Sequence, residues 1–181
     1  MAKVYVILAP GLEETEAVAV IDILRRANIN VMTMGIGGRE IKGSHDIVIL
    51  ADSMLKEVNL LPGDVLFLPG GMPGTTRLRE NKTVQRLLQQ AESKSNLVTA
   101  ICAAPSALVT AGVAKGIRLT SHPSVQDMFS EYQYSEERVV ESGNWITSRG
   151  MGTAIEFALV LVSRLVSPET AAEIKNSILA R

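Results

Sequence analysis

The fold of this chain is decided by residues 97–109, LVTAICAAPSALV, in which strand-forming residues lead without a loop into small ones. The apolar run Leu97 to Ile101 predicts a buried strand. The stretch Ala103 to Val109 then has to turn away as a helix. A strand that passes directly into a helix holds the residue at the junction, Cys102, on a tight turn. This layout is typical of a nucleophile elbow.

The same alternation of strand and helix continues on both sides of the elbow. Short apolar runs predict strands, and longer stretches with apolar residues at helical spacing predict helices. The predicted strands are residues 4–8, 30–34, 64–68, 97–101 and 117–120, with hairpins in 36–49 and 138–147; the predicted helices are 13–27, 52–58, 84–91, 103–109, 122–129 and two at the C-terminal end. This order is typical of a doubly wound, mostly parallel sheet with helices on both faces, a flavodoxin-like sandwich.

Composition narrows the possible classes of protein. A length of 181 residues with 46% apolar residues predicts one domain, 1–181, with a sizeable core. Lys and Arg total 18 against 19 Asp and Glu, without runs of one sign, so neither a nucleic acid nor a membrane is indicated as a partner. The first apolar run is too short to span a bilayer and lacks the features of a signal peptide. A single cysteine excludes an internal disulfide, and the predicted location is the cytoplasm.

Three features of the sequence are expected to meet at one edge of the sheet. In open parallel sheets, ligands bind outside the carboxyl ends of the strands, where Glu13 to Glu16, the pair Gly70-Gly71 and Cys102 are all placed. We expect backbone N–H groups at the start of the following helix to lower the pKa of Cys102 and to favour its thiolate.

The residues alone also allow simpler interpretations. A lone cysteine among Ala and Ile can be a small buried hydrophobe. Glu13, Glu14 and Glu16 suit a solvated first helical turn, where the helix dipole favours acids. His122, directly before Pro123, can be a helix cap or a surface histidine.

Four segments resemble the ThiJ/PfpI superfamily, and more narrowly its branch that contains the parkinsonism-associated deglycase and the bacterial homologues. They are AICAAPSAL at 100–108, LAPGLEETE at 8–16, LPGG at 68–71 and TSRGMGTA at 147–154. The segments follow the order of that branch along nearly the whole chain, which makes the resemblance far more specific than any one motif.

The resemblance implies a role for each matching residue and a homodimer. Cys102 takes the place of the nucleophile, and Glu16 that of the carboxyl group that contacts the thiol. The other implied site positions are the backbone N–H groups of Gly71 and Ala103 as an oxyanion hole, His122 beside the site, Gly70 and Pro105 as supporting residues, and Arg26 at dimer and site-edge contacts. A carboxyl group buried beside a thiolate is expected to stay protonated, and it can then exchange protons during a reaction.

The activity that the resemblance implies is a glyoxalase of the deglycase type. It would convert 2-oxoaldehydes such as methylglyoxal to 2-hydroxy acids through a hemithioacetal on Cys102, without glutathione, metal or another cofactor. The family is also linked to the removal of early glycation adducts from proteins. The alternative is an oxidative-stress sensor or protective protein whose Cys102 is oxidised to sulfinic acid, with chaperone-like activity.

The sequence departs from its relatives at three informative positions. Ala103 stands where the protease-like members of the superfamily have histidine, so peptidase activity is not expected. Met151 replaces a proline that is common in the branch, and His45 replaces an arginine near the site. These two changes alter the pocket mouth without touching the nucleophile.

Overall fold

The computed structural model describes residues 3–55 and 58–180. Eleven strands, six α-helices and two 3₁₀ helices alternate along this part of the chain. The strands are β1 (Lys3–Leu8), β2 (Asn30–Gly35), β3 (Glu40–Lys42), β4 (Val48–Leu50), β5 (Ser53–Met54), β6 (Val65–Leu68), β7 (Leu97–Ile101), β8 (Arg118–Leu119), β9 (Gln133–Tyr134), β10 (Val139–Ser142) and β11 (Trp145–Ser148). The α-helices are α1 (Glu14–Arg26), α2 (Gly74–Glu80), α3 (Lys82–Ser93), α4 (Ser106–Ala111), α5 (Ala154–Leu165) and α6 (Pro168–Ser177), and the 3₁₀ helices are Pro123–Met128 and Met151–Thr153.

Seven strands form the central sheet in the order β10-β11-β7-β6-β1-β2-β5. All neighbours pair in parallel except β10 and β11, which form an antiparallel hairpin at one edge. The predicted doubly wound, mostly parallel sheet is therefore confirmed. The chain proceeds from β1 to β2 in one direction and from β6 to β7 in the other, which places the topological switch point between β1 and β6.

Each face of the sheet is covered by its own set of helices. Side chains alternate along the strands, so that Val6 and Phe67 pack with α1, α5 and α6, whereas Ile7 and Leu66 pack with α2, α3 and α4. The strands at the centre are thus buried on both sides, which explains their continuous apolar runs. No helix in the described part of the chain has both the length and the apolar character needed to cross a bilayer.

Three local predictions need correction. The helix predicted over 52–58 is wrong in its described part, because Ser53–Met54 adds strand β5 to the sheet edge; residues 56 and 57 lie outside the described residues. Helix α2 was not predicted, since the turn-forming residues before it hide its short apolar pattern. The helix after the elbow begins at Ser106 rather than at Ala103, because the intervening residues form tight turns.

Candidate active site

The switch point gathers the three predicted features at the carboxyl ends of β1, β6 and β7. Glu16 lies in the first turn of α1, after the loop that leaves β1. Gly70 and Gly71 lie in the loop that leaves β6, and Cys102 follows β7 directly. Because neighbouring parallel strands end at the same edge, residues far apart in sequence come within hydrogen-bonding distance here.

The elbow fixes the backbone of Cys102 in a left-handed conformation, with φ 64°. Its N–H donates to the carbonyl of Ser148 on β11 at 2.9 Å, and its own carbonyl accepts from the N–H of His122 at 2.8 Å. Non-glycine residues adopt this conformation at a cost and persist in it only where the surroundings hold them. Here the turn is braced by the buried Ser106 hydroxyl, which donates to the Ala103 carbonyl at 2.7 Å, with Pro105 immediately before α4.

Glu16 is the acid that contacts the thiol. Its side chain is 1% exposed and hydrogen-bonds to the side chain of Cys102. Its Oε2 also accepts from the N–H of Gly70 at 3.0 Å. Gly70 has to be glycine, because a Cβ there would lie 2.5 Å from Cys102 Cβ and 2.7 Å from Glu16 Oε2. The supporting role expected for Gly70 therefore rests on close packing.

Burial governs the ionisation of this pair. Burial raises the pKa of Glu16 to about 7. The hydrogen bonds from Cys102 and Gly70 favour the carboxylate and lower this pKa, but by less than burial raises it. Burial, then the charge of Glu16 and its hydrogen bond, raise the pKa of Cys102 to about 12. The first negative charge in the pocket thus opposes the second. From near neutral to strongly alkaline pH, the pair holds one proton and one negative charge between them.

Two backbone N–H groups act in the opposite direction on the sulfur. Those of Gly71 and Ala103 hydrogen-bond to Cys102 and lower the pKa of its thiol. The structure therefore brings both predicted oxyanion-hole positions together, and the atom they meet is the sulfur itself. Gly71 has φ 90°, and a Cβ at this position would overlap the backbone of Glu13.

The expected lowering of the Cys102 pKa is found only in part, because the N–H of Ala103 lowers it but burial and the charge of Glu16 raise it more. Helix α4 begins at Ser106, four residues beyond the cysteine, and has only six residues. A macrodipole effect falls off within the first turn, so this helix end does not act on the sulfur. The net shift in the pKa of Cys102 is upward, and the N–H groups of Gly71 and Ala103 oppose it.

His122 combines a capping role with a place beside the sulfur. Its Nδ1 accepts from the N–H of Ser124 at 3.2 Å and lies 2.8 Å from the Ser124 hydroxyl, which caps the 3₁₀ helix that follows. Because Nδ1 acts as an acceptor, we assign the proton of the neutral ring to Nε2. The ring borders the site through Cδ2, which lies 3.8 Å from the point where a Cβ of Gly150 would stand.

Arg26 is not brought to this site by its own chain. It lies at the far end of α1, about 15 Å along the helix axis from Glu16 at 1.5 Å per residue. Its guanidinium pairs with Asp22 one turn earlier, at 2.7 Å, on the exposed surface.

The acids around Glu16 have separate roles. Glu13 caps α1, accepting from the N–H of Thr15 at 3.1 Å. Glu14 is buried rather than solvated, and its Oε1 accepts from the N–H of His45 at 2.7 Å. Burial opposes its ionisation, but hydrogen bonds from its own backbone, His45 and Ile47 outweigh it and lower the pKa of Glu14.

One cluster of residues has the arrangement of a cation site. Glu13, Glu14 and His45 place their ligand atoms within 4.8 Å of one another, the one such group of three among residues 3–55 and 58–180. The His45 ring lies 3.1 Å from Glu14 Oε2 and 3.3 Å from Glu13 Oε2. The hydrogen bond with Glu14 and the charge of Glu13 raise the pKa of His45, which favours the protonated ring at this place.

Gly150 is a site residue that the sequence analysis missed. A Cβ built on it would lie 3.8 Å from Glu16 Oε1, 3.8 Å from His122 Cδ2 and 3.9 Å from Cys102 Sγ. Within TSRGMGTA it resembles any turn glycine, and only its position in three dimensions shows that it faces all three functional groups. Met151 beside it is exposed at the rim.

Comparison with known proteins shows similarity over nearly the whole chain. The profile of the DJ-1/PfpI family matches residues 2–164. The Parkinson disease protein 7 homolog of Danio rerio is 41% identical, over 99% of this chain and 97% of the relative. The glutathione-independent glyoxalase DJR-1.2 of Caenorhabditis elegans is 36% identical, over 87% of this chain and 84% of that protein. The crystal structure of Drosophila melanogaster DJ-1beta is 42% identical with a TM-score of 0.94, covering 99% of this chain and 98% of that one.

Proposed function

The chain belongs to the DJ-1/PfpI family, and on this premise we propose that it is a cofactor-independent glyoxalase of the deglycase type, acting on 2-oxoaldehydes such as methylglyoxal. The observation that carries the proposal is the buried pair of Cys102 and Glu16, which shares one proton near neutral pH. The similarity to a relative named as a glutathione-independent glyoxalase supports it. The test is formation of lactate from methylglyoxal by the purified protein without glutathione or added metal.

Of the two groups Glu16 has the lower pKa and carries the charge first, so the reaction begins when Glu16 takes the proton of the thiol and leaves the charge on sulfur. In this form the sulfur accepts from Glu16 and from the N–H groups of Gly71 and Ala103. It attacks the aldehyde carbon, a C–S bond forms, and the carbonyl oxygen takes the proton from Glu16 to give a hemithioacetal. The N–H groups directed at the sulfur lie next to the developing oxyanion and are placed to stabilise it.

The carboxylate left on Glu16 then serves as the base. It removes the proton from the former aldehyde carbon, the electron pair forms a double bond to the neighbouring carbon, and the carbonyl oxygen of that neighbour takes the negative charge of an enediolate. Glu16 returns the proton to that neighbouring carbon, and the hydroxyl proton of the former aldehyde carbon passes to the neighbouring oxygen, which gives a thioester of the 2-hydroxy acid, an isomer of the hemithioacetal. Water then cleaves the C–S bond and releases the acid and Cys102. A carboxyl pKa of about 7 suits both directions of proton transfer near neutral pH.

We predict that the alkylation of Cys102 follows the first ionisation of the pair. The rate with iodoacetamide should rise as the pH passes about 7, the pKa of Glu16, and then level off. In Glu16→Gln the rise should move to higher pH, because burial still raises the pKa of the thiol and no second group shares the charge. Rate–pH profiles of the two proteins check this. A wild-type midpoint at the ~8.5 of free cysteine would contradict the shared-proton form.

A redox role is the second candidate, and the half-buried single thiol beside a hydrogen-bond donor favours it. Peroxide would oxidise Cys102 first to the sulfenic and then to the sulfinic acid, and the described geometry would let Glu16 donate to a sulfinate oxygen. Protein deglycation and a chaperone-like role are further activities that the resemblance to this family implies. Steady-state turnover of the aldehyde separates the two candidates. A pure sensor would only modify its own Cys102, and the reaction would stop after one equivalent of reagent per protein chain.

We also propose that the protein is a homodimer, placed in the cytoplasm as the sequence predicts. An exposed apolar face extends from α1 to β4 and the loop before it. Its members are Val18, Ile47, Val48 and Leu50. Arg26 lies too far from Glu16 of its own chain to touch that site, so we assign it to the subunit contact. A monomeric protein rarely exposes such a continuous apolar face.

Replacing Leu50 tests the dimer. We expect Leu50→Asp to raise the dimer dissociation constant at least about 30-fold, the effect of an interface side chain worth ~2 kcal/mol, because it places a charge on the contact face. Sedimentation velocity measures this. Leu61→Asp is the matched control, since Leu61 is 61% exposed and Leu50 63% but Leu61 lies outside the face. Equal dissociation of both variants, or a wild-type monomer at micromolar concentration, would contradict the proposal.

A further inference from the structure

Gly150 occupies an unusual place, because its missing side chain leaves the space between the three functional groups open. The point where its Cβ would stand lies 3.8–3.9 Å from Glu16 Oε1, His122 Cδ2 and Cys102 Sγ. These are ordinary van der Waals distances, so a methyl group fits there without overlap. The space beside the sulfur therefore accepts a group at least the size of a methyl, and an acid, a histidine and a thiol border it.

The backbone does not require glycine at this position. Gly150 has φ 161° and ψ −168°, an extended conformation that other residues adopt. Gly152, two residues later, likewise has no left-handed φ, and nothing lies within 4 Å of its built Cβ. The two glycines of one turn thus differ in what their Cβ atoms would face, because only Gly150 points at the functional groups.

The wall that carries Gly150 is held in place by buried hydroxyl groups. The N–H of Gly150 donates to Thr153 Oγ1 at 3.2 Å, and the Gly150 carbonyl accepts from the N–H of Thr153 at 2.8 Å. Thr153 Oγ1 in turn lies 2.6 Å from Ser148 Oγ, which donates to the carbonyl of Arg138 at 2.7 Å. The carbonyl of Ser148 accepts from the N–H of Cys102. Strand β11 therefore leads into the Gly150 turn and also binds the backbone of Cys102, which positions the turn against the sulfur.

We propose that Gly150 is the residue that sets substrate size: the space left by its missing side chain receives the substituent on the carbon next to the reacting aldehyde. This rests on the proposed glyoxalase function and specifies its substrate class. Once the sulfur has bonded to the aldehyde carbon, the rest of a 2-oxoaldehyde has to lie beside the sulfur, within reach of Glu16. The substituent that matters is hydrogen in glyoxal and a methyl group in methylglyoxal.

The test is Gly150→Ala, compared with Gly152→Ala as the matched control from the same turn. A methyl group at position 150 occupies the space that the methyl group of methylglyoxal needs, whereas glyoxal needs less of it. We expect the ratio of kcat/KM for methylglyoxal to that for glyoxal to fall about 10- to 200-fold in Gly150→Ala, the range for one methyl-sized group in a pocket. Gly152→Ala should keep the wild-type ratio. An unchanged ratio in Gly150→Ala would overturn the inference while leaving the glyoxalase function intact.

A second readout does not depend on turnover. Alkylation of Cys102 is followed by mass spectrometry with a small reagent, iodoacetamide, and a larger one, N-ethylmaleimide. Gly150→Ala should slow the larger reagent at least about tenfold more than the smaller one, whereas Gly152→Ala should not. If the wild-type protein turns over neither aldehyde, the glyoxalase proposal fails and this ratio alone decides whether Gly150 limits access to the sulfur.

A third variant removes the ring of His122, which borders the same space as Gly150. His122→Ala should speed the larger reagent relative to the smaller one, and it should restore that ratio when combined with Gly150→Ala, because both residues bound one space. If Gly150→Ala does not fold, as seen by circular dichroism, His122→Ala alone decides. An unchanged reagent ratio in His122→Ala would then overturn the inference.

Discussion

Turnover of methylglyoxal is expected to fall at least about 10³-fold in Cys102→Ser, to the level of the uncatalysed reaction. A serine hydroxyl is far less acidic than a thiol, so its pair with Glu16 supplies no anionic nucleophile near neutral pH. Without the sulfur no hemithioacetal forms. The N–H groups of Gly71 and Ala103 stay in place in this variant, so the comparison isolates the nucleophile. Lactate formation in the absence of glutathione is the measurement.

The fold of Cys102→Ser should persist, because serine is nearly the same size and the contacts that hold the elbow are made by backbone groups. The N–H bond to Ser148 and the carbonyl bond to His122 do not involve the side chain. Circular dichroism and sedimentation serve as controls. Residual turnover within tenfold of wild type would exclude Cys102 as the nucleophile and with it the proposed function.

Glu16→Gln is expected to reduce turnover about 10²- to 10⁴-fold, the effect of losing a general acid or base. The amide keeps a donor of similar shape for the sulfur but exchanges no proton with a hemithioacetal. Glu13→Gln is the nearby control, because Glu13 caps α1 and does not hydrogen-bond to the thiol. Glu14→Gln is the control for burial, since it alters a buried acid that binds His45. Turnover within a few-fold of wild type in Glu16→Gln would remove the proton-transfer role.

The same variant is expected to gain stability at alkaline pH. The pKa of Glu16 rises on folding from 4.5 to about 7, so the folded state keeps a proton that the unfolded state has lost in this window. The free energy of unfolding of the wild type therefore falls as the pH rises from about 4.5 to about 7, by up to about 3 kcal/mol from this group. Glu16→Gln has no such loss. Urea unfolding at pH 4.5 and pH 8 measures the difference, and an equal pH dependence in both proteins would contradict the raised pKa.

Loss of activity with a gain in stability would identify Glu16 as a group kept for chemistry. A residue that serves only the fold shows the opposite pattern, in which removal costs stability. Glu14 is the contrast within this chain. Its pKa is lowered on folding, so its contribution to stability is present above the unfolded value of 4.5 and is lost as the pH falls through the folded one.

The sequence by itself determined the order of strands and helices, the doubly wound sheet and the edge at which a site forms. Apolar period and turn residues are local properties, and parallel strands that alternate with helices leave few arrangements. It also placed Cys102 on the elbow, because a strand that runs into small residues allows no loop between them. The short pieces 53–54 and 74–80 were missed, since they carry too few residues to show a period.

The family resemblance pointed to Glu16, but only the tertiary structure decided the physical reason that it meets the thiol, the direction of the pKa of Cys102 and the position of Gly150. Glu13, Glu14 and Glu16 are alike as residues of a first turn, and burial beside the Gly70 N–H, 54 positions away, separates Glu16 from the others. Desolvation depends on which atoms from other segments surround a group, and sequence spacing does not contain that information. For the same reason, only the folded chain could show that Gly150 faces the sulfur. A Cβ at this position would lie 3.9 Å from Cys102 Sγ.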